Sequence, residues 1–292
     1  MNTSARTPRP DVIHVPDPLA PARLPAGRQP WRHWLLQPVA LQFVLMAALA
    51  LCWELAARWN DNPLLLPTFL DTARALCDGL LSGELIRRSL TSLGLLAQAY
   101  AVGVLLAAAI TCAAMLSRVG QATLGMLTAM FNPLPAIALL PLAMMWFGLG
   151  TFSLIFVIIH SVVWPLALNA CAGFGGVSPT LRLVGRNLGL SGLQMTTRIL
   201  IPAALPSLFS GLRLAWAFAW RTLIAAELVF GAASSGQGGL GWYIFQNRNE
   251  LNTDQVFAGL ICVIAIGLLV ETLVFENLER LTIRRWGMRH QN

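Results

Sequence analysis

The sequence predicts an all-α integral membrane protein with six transmembrane helices, and three observations carry that prediction. The chain is 56% hydrophobic and 11% charged, whereas an ordinary soluble domain has about 25% charged residues. Several apolar runs pass the roughly 18-residue length needed to span a bilayer. The longest, residues 119–181, contains no Asp, Glu, Lys or Arg. That is too long for one helix of about 20 residues, and "FGLGT" (147–151) supplies a turn near its middle, so it reads as two spans.

Taken in order, residues 1–35 hold Pro8, Pro10, Pro16, Pro18, Pro21, Pro25 and Pro30 with five arginines. This composition cannot bury a core and predicts a disordered tail. No basic-then-apolar pattern with a cleavage site begins at Met1, so a removable signal peptide is not expected. A membrane domain is predicted over 36–278, its first span 36–58. In the polar interval that follows, "PTFLDTARALCDGLL" has helical periodicity, with Thr68 and Asp71 placed to cap its start. Further spans are predicted at 90–116, 123–147, 151–173, 203–230 and 255–277. A basic hairpin at 177–201 separates the fourth from the fifth. A second tail covers 279–292.

Arginine placement sets the orientation. With the N-terminus cytoplasmic, that side receives Arg6, Arg9, Arg23, Arg28, Arg32, Arg118, Arg182, Arg186, Arg198, Arg280, Arg284, Arg285 and Arg289. The other side receives Arg58, Arg74, Arg87, Arg88 and Arg248. The bias predicts both termini in the cytoplasm, with an even number of crossings. It also explains the net charge of +7 without nucleic acid, because the arginines are spread along the chain.

Other chemistry is excluded by what the sequence lacks. There is no lysine, hence no Walker A loop, so any ATP-driven function borrows a partner. Cys52, Cys77, Cys112, Cys171 and Cys262 have no metal-ligand spacing, and neither a metal site nor a disulfide framework is expected. Histidines at 14, 33, 160 and 290 are too scattered for a membrane-embedded enzyme, so no catalytic residue and no cofactor are expected. His160 alone reads as a hydrogen-bonded packing residue.

The hairpin carries the most information. Leu181, Val184 and Leu188 recur at helical spacing before Gly189, and Leu193, Thr196, Thr197 and Leu200 do so after it. Gly189 suits a tight turn with positive φ, and Pro202 suits the first turn of the next helix. Such a hairpin offers a rigid, basic and apolar knob to a soluble partner.

From Gly189, nine residues lead to Ile199, Leu200, Ile201 and Pro202. This order resembles the "EAA" coupling loop of ATP-binding-cassette importer permeases. "LLLPTFLDTARALCDGLLSGELIRRSLTSL" (64–93), "FNPLPAIALLPLAMMWFGLG" (131–150), "IPAALPSLFSGLRLAWAFAWRTLIAAELV" (201–229) and "GQGGLGWYIFQNRNELNTDQVFAGL" (236–260) are similar to the nitrate, sulfonate and taurine class of type I permeases. The motif's acidic residue is absent, since Glu-Ala-Ala falls on Leu183, Val184 and Gly185.

The resemblance implies a permease subunit in a bacterial inner membrane. Two copies would form a path for a small anion, each docking an ATP-binding subunit, with an external substrate-binding protein delivering solute. The ATPase-coupling residues would be Arg182, Arg186, Leu188, Gly189, Leu190, Leu193, Ile199 and Pro202. A pyrimidine-like heterocycle is the alternative solute. A stand-alone secondary transporter is the remaining rival, but no internal repeat supports it.

Each ionisable group at mid-bilayer costs about 2.5–3.5 kcal/mol on insertion scales, so it should face protein or water. At about 100° per residue, Arg213, Trp216, Trp220 and Glu227 form one stripe of the fifth span, expected to face the bundle interior or a twin subunit, while Arg221 points away from it. The stripe, together with Met145 and Trp146 of the third span, either lines a translocation path or is structural, Arg213 snorkelling and Glu227 pairing near the outer end. Pro133, Pro135, Pro141 and Pro165 serve gating or simple helix bends. The glycine-rich 234–241 is an outer gate, a surface for a binding protein, or a plain connector.

Overall fold

A computed structural model describes residues 38–230 and 238–284, and every described element is helical. The predicted tail 1–35, residues 234–237 of the glycine-rich segment 234–241 and the last residues of the 279–292 tail lie outside the described residues. The chain divides into two compact units, one ending at Cys52 and the other beginning at Trp53.

Helix α1 (Pro38–Asn60) is apolar on every face and crosses the boundary between the units. Its last turn carries the Arg58–Glu54 pair at 2.7 Å. From Trp53 onward, the indole N–H donates to the Pro67 carbonyl at 3.0 Å, holding the interval that leads to α2 (Phe69–Leu81). Thr68 caps α2 as expected, accepting from the Asp71 N–H at 3.1 Å.

The core is a three-helix layer of α3 (Glu84–Met115), α6 (Thr151–Gly175) and α9 (Ile201–Phe230). Leu96, Ile158, Val162, Ala215 and Leu223 are fully buried between them. In lipid there is little hydrophobic drive between helices, so small residues that let backbones approach do the packing. A Cβ on Gly103 would meet Val162, and one on Gly211 would meet Asn169 at 2.7 Å.

The third predicted span departs from expectation. Rather than one helix over 123–147, α4 (Arg118–Phe131) and α5 (Leu140–Phe147, entered through the tight turn Ala136–Leu139) meet at 88°. The cause is "NPLP". Pro133 and Pro135 supply no N–H to continue the helical ladder, and the chain leaves the helical region at Pro135, which is extended at φ −62°, ψ 114°. Among the described residues, five other helices are long and apolar enough to cross a membrane, and the bent pair makes up to six.

The hairpin's first arm is α7 (Pro179–Asn187) and its second begins as α8 (Gly192–Met195). Pro202 does not begin a separate helix. The chain stays helical from Gly192 to Phe230, with one wide, π-type turn at Thr196–Leu200 just before the proline. There the Ile201 N–H reaches back to the Thr196 carbonyl. The second arm of the hairpin and the fifth span are therefore one continuous helical run. Beyond it, α10 (Leu240–Asn249) and α11 (Thr253–Leu269) pack together. The chain continues helically through α12 (Glu276–Glu279) to Arg284.

Candidate functional site

Three places hold the residues singled out in the sequence. The first is the hairpin. Gly189 has φ +68°, and the Leu190 N–H returns to the Gly185 carbonyl at 3.1 Å while the Gly189 N–H returns to Arg186 at 2.9 Å. These two bonds form a Schellman motif, which satisfies the last carbonyls of α7. A Cβ on Gly189 would meet nothing within 4 Å, so backbone conformation and not crowding requires glycine here.

The second arm starts on a capping box that sequence reading missed, although Ser191-Gly-Leu-Gln194 spells it. The Ser191 N–H donates to Gln194 Oε1 at 3.1 Å, and the Gln194 N–H points back to Ser191 Oγ at 3.5 Å. The arms touch at Gly185, where an added Cβ would lie 2.6 Å from both Met195 Sδ and Ile199 Cδ1. Arg182 turns back instead and donates to the Phe174 carbonyl, tying α7 to the end of α6. What remains outward is apolar and basic. Leu188 is 71% exposed, Leu181, Leu183 and Val184 are also exposed, and Arg186 stands among them. Leu190 is half-buried, and Pro202 lies half-buried beyond the wide turn. Leu193 has no described side-chain environment.

The second place is the stripe on α9, which faces α11 and its continuation. Arg213 pairs with Glu271 and, at 3.6 Å, with Glu279. Trp216 meets Tyr100 edge-on at 5.7 Å and lies near Phe275. Trp220 is 6% exposed and donates its indole N–H to the Val263 carbonyl at 3.3 Å.

Glu227, at 4% exposure, fastens the start of α10. Its carboxylate accepts from the Gly241 N–H at 2.8 Å and from Ser92 Oγ at 3.1 Å, and Ser92 in turn accepts from the Leu240 N–H at 2.9 Å. A carboxylate at a helix N-terminus also opposes the positive end of the helix dipole. Arg88 holds the same turn by donating to the Gly238 carbonyl at 2.9 Å. Nearby, burial and the Glu84 and Asp254 carboxylates push the Tyr243 phenol up to about 12, so it stays protonated. Met145 and Trp146 are exposed on α5, Trp146 lying against Phe147 and Phe156.

The third place was not anticipated. The 88° break leaves a cleft of about 300 Å³ between the "NPLP" corner, α6 and α9. Its walls include Phe131 stacked on Trp164 at 4.8 Å, and Phe218. Arg221 also lines it, although helical geometry had set that residue aside as facing away from the tryptophan stripe. His160 borders the cleft too, and neither of its ring nitrogens has a hydrogen-bond partner among the described residues. The available signal was a second stripe on the same helix, Phe218, Arg221, Thr222 and Ala225, at the i, i+3, i+4, i+7 spacing of one face.

Comparison with known proteins identifies several similar chains. Residues 99–282 match the family described as binding-protein-dependent transport system inner membrane component. The taurine transport system permease protein of Escherichia coli is 31% identical over 267 residues, covering 89% of this chain and 95% of its own. A Bacillus subtilis chain named for aliphatic sulfonates transport is 32% identical over 215 residues, 74% of this chain and 76% of its own. The bicarbonate transport system permease protein of Synechococcus elongatus is 28% identical over 231 residues, 79% and 77% of the two chains.

Proposed function

The chain belongs to the binding-protein-dependent transport system inner membrane components, the multi-pass permeases of ABC importers, and from that premise we propose how it is powered and what it carries. Two copies form the pathway. Each docks an ATP-binding subunit through the hairpin 177–201, which faces the cytoplasm together with both termini. A binding protein delivers a small anion from the other side. The relatives' names, taurine, aliphatic sulfonates and bicarbonate, motivate that solute class.

One observation supports the docking reading above the rest. A Schellman turn and a capping box rigidify a short hairpin whose outer surface is Leu181, Val184 and Leu188 beside Arg186. Large side chains left exposed on a well-fastened element mark a protein interface. The missing acidic residue of the coupling motif falls on Leu183, 56% exposed, so docking here rests on apolar contact and arginine. Closure of the ATPase dimer draws the two hairpins together and switches the helices between inward- and outward-open arrangements.

Gly189→Val tests this reading. A β-branched residue at φ +68° pays about 1–2 kcal/mol of left-handed strain, which the turn relieves by opening. Reconstituted with ATPase subunits and binding protein, the variant should hydrolyse ATP while losing most solute transport. Gly189→Asn, which tolerates this conformation, should transport better than the valine variant. Transport by Gly189→Val at the unaltered rate would refute the coupling role.

A further inference from the structure

We infer that the cleft at the "NPLP" corner is a transit site for the solute, taking a small oxoanion on Arg221. The inference deepens the import reading and rests on it, because a solute in passage presupposes a pathway. Arg221 lies nine residues before the end of α9, about 13 Å along the axis at 1.5 Å per residue. A charge so far inside a span needs a purpose, since ionisable groups there face protein or water-filled cavities and mark ion paths.

The other intramembrane charges of this helix are already engaged, Arg213 by two glutamates and Glu227 by the start of α10. Arg221 has no acidic partner among the described residues, and no carboxylate lines the cleft. Around it, Asn132, Thr222 and His160 supply neutral polar groups. Neither nitrogen of His160 is hydrogen-bonded, and buried polar atoms are normally satisfied. A volume near 300 Å³ is at the small end for ligand pockets.

The chemistry selects the ligand. A guanidinium presents a planar fork of N–H donors, which fits two oxygens of a sulfonate, carboxylate or nitrate better than it fits a halide. Phe131, Trp164 and Phe218 lower the local dielectric and leave room for a short apolar tail. A single cation in an open cleft binds weakly, which suits passage over storage, because conduction needs a site that ions can leave. A lipid phosphate offers the same oxygens, so the experiment must separate the two sources.

The full-length permease, with its native cysteines replaced and Thr222→Cys introduced, is placed in lipid nanodiscs. Its thiol is reacted with the anionic reagent sulfonatoethyl methanethiosulfonate and with the cationic trimethylammonium-ethyl analogue. Each reagent transfers its thioethyl group to the cysteine sulfur, breaking its own S–S bond and releasing methanesulfinate. The anionic-to-cationic rate ratio should fall about tenfold when Arg221→Gln is added, the effect of one nearby charge in a partly aqueous cleft. Ethanesulfonate should slow the anionic reagent while Arg221 is present and not after its removal.

An unchanged ratio in Arg221→Gln overturns the site. A ratio that follows the anionic-lipid content of the disc, with no competition by ethanesulfonate, assigns Arg221 to lipid headgroups and also overturns it. The readout needs no ATPase, so failed coupling at the hairpin leaves it interpretable. Arg221→Gln should also reduce solute uptake in the reconstituted importer while ATPase stimulation by the binding protein persists.

Discussion

Glu227 shows how one side chain fixes a return of the chain. Its carboxylate serves the Gly241 N–H and Ser92, while a Cβ on Gly241 would come within 2.8 Å of the Ile224 carbonyl. Glu227→Ala would orphan the buried Gly241 N–H, at a cost of about 1–3 kcal/mol. The variant should melt earlier in detergent than the unaltered chain. Glu227→Gln, which keeps an acceptor oxygen, should recover part of the loss. An unshifted melting curve for the alanine variant would remove the latch. Sequence alone marked Glu227 as a buried charge but could not name its partners, because Ser92 lies 135 residues away and no pattern links them. Gly189 was readable, since a left-handed turn between two short helices demands glycine. Gly185 was not, because its need arises from contact with Met195 and Ile199 on the other arm.

At the scale of the helix, the α9 stripe divides into packing and polar engagement. Trp220 fills space against α11, its N–H spent on Val263, whereas Trp216 is partly exposed beside Tyr100. Trp220→Ala should cost about 3–5 kcal/mol, the usual price of emptying a buried aromatic site, and Trp216→Ala less. Thermal unfolding of the solubilised protein would rank them. If Trp220→Ala unfolds normally but alters uptake kinetics, it lines the path instead. Periodicity placed these helices well because hydropathy and length are local properties. It did not foresee the 88° corner, because prolines in a span announce a bend without its angle. The wide turn at Thr196–Leu200 leaves no residue signature beyond the proline that follows it.

Over the whole molecule, arginines differ in whether a carboxylate engages them. Near the α2 and α10 end, Arg58, Arg74, Arg87 and Arg88 are paired with Glu54, Asp71 and Glu84. At the hairpin end, Arg118, Arg186 and Arg198 have no acidic partner among the described residues, although Arg280 pairs with Glu276 at 3.4 Å; on the other side Arg248 lies over the Phe245 ring. Topology follows the placement of arginine, with acidic residues counting for little, so the arginine-rich hairpin end is expected on the cytoplasmic face. Single cysteines at Leu188 and Arg74, in a background without the native ones, test the orientation. An impermeant maleimide should label Leu188→Cys in inside-out vesicles and Arg74→Cys in right-side-out vesicles, and added ATPase subunits should shield the former. The reverse pattern would invert the assignment. The count of arginines on each side was readable from the sequence, whereas the cleft at Arg221 required three distant segments to be brought together.

The unbroken run from the hairpin into the fifth span has a mechanical consequence. Thr196–Val229 is 34 residues of continuous helix, about 50 Å of rod at 1.5 Å per residue. Packed against α6 and α3 from Ala204 to Glu227, such a rod would move as one piece. A push on its foot would reach the far mouth through the rod itself, with no relay of side chains between them.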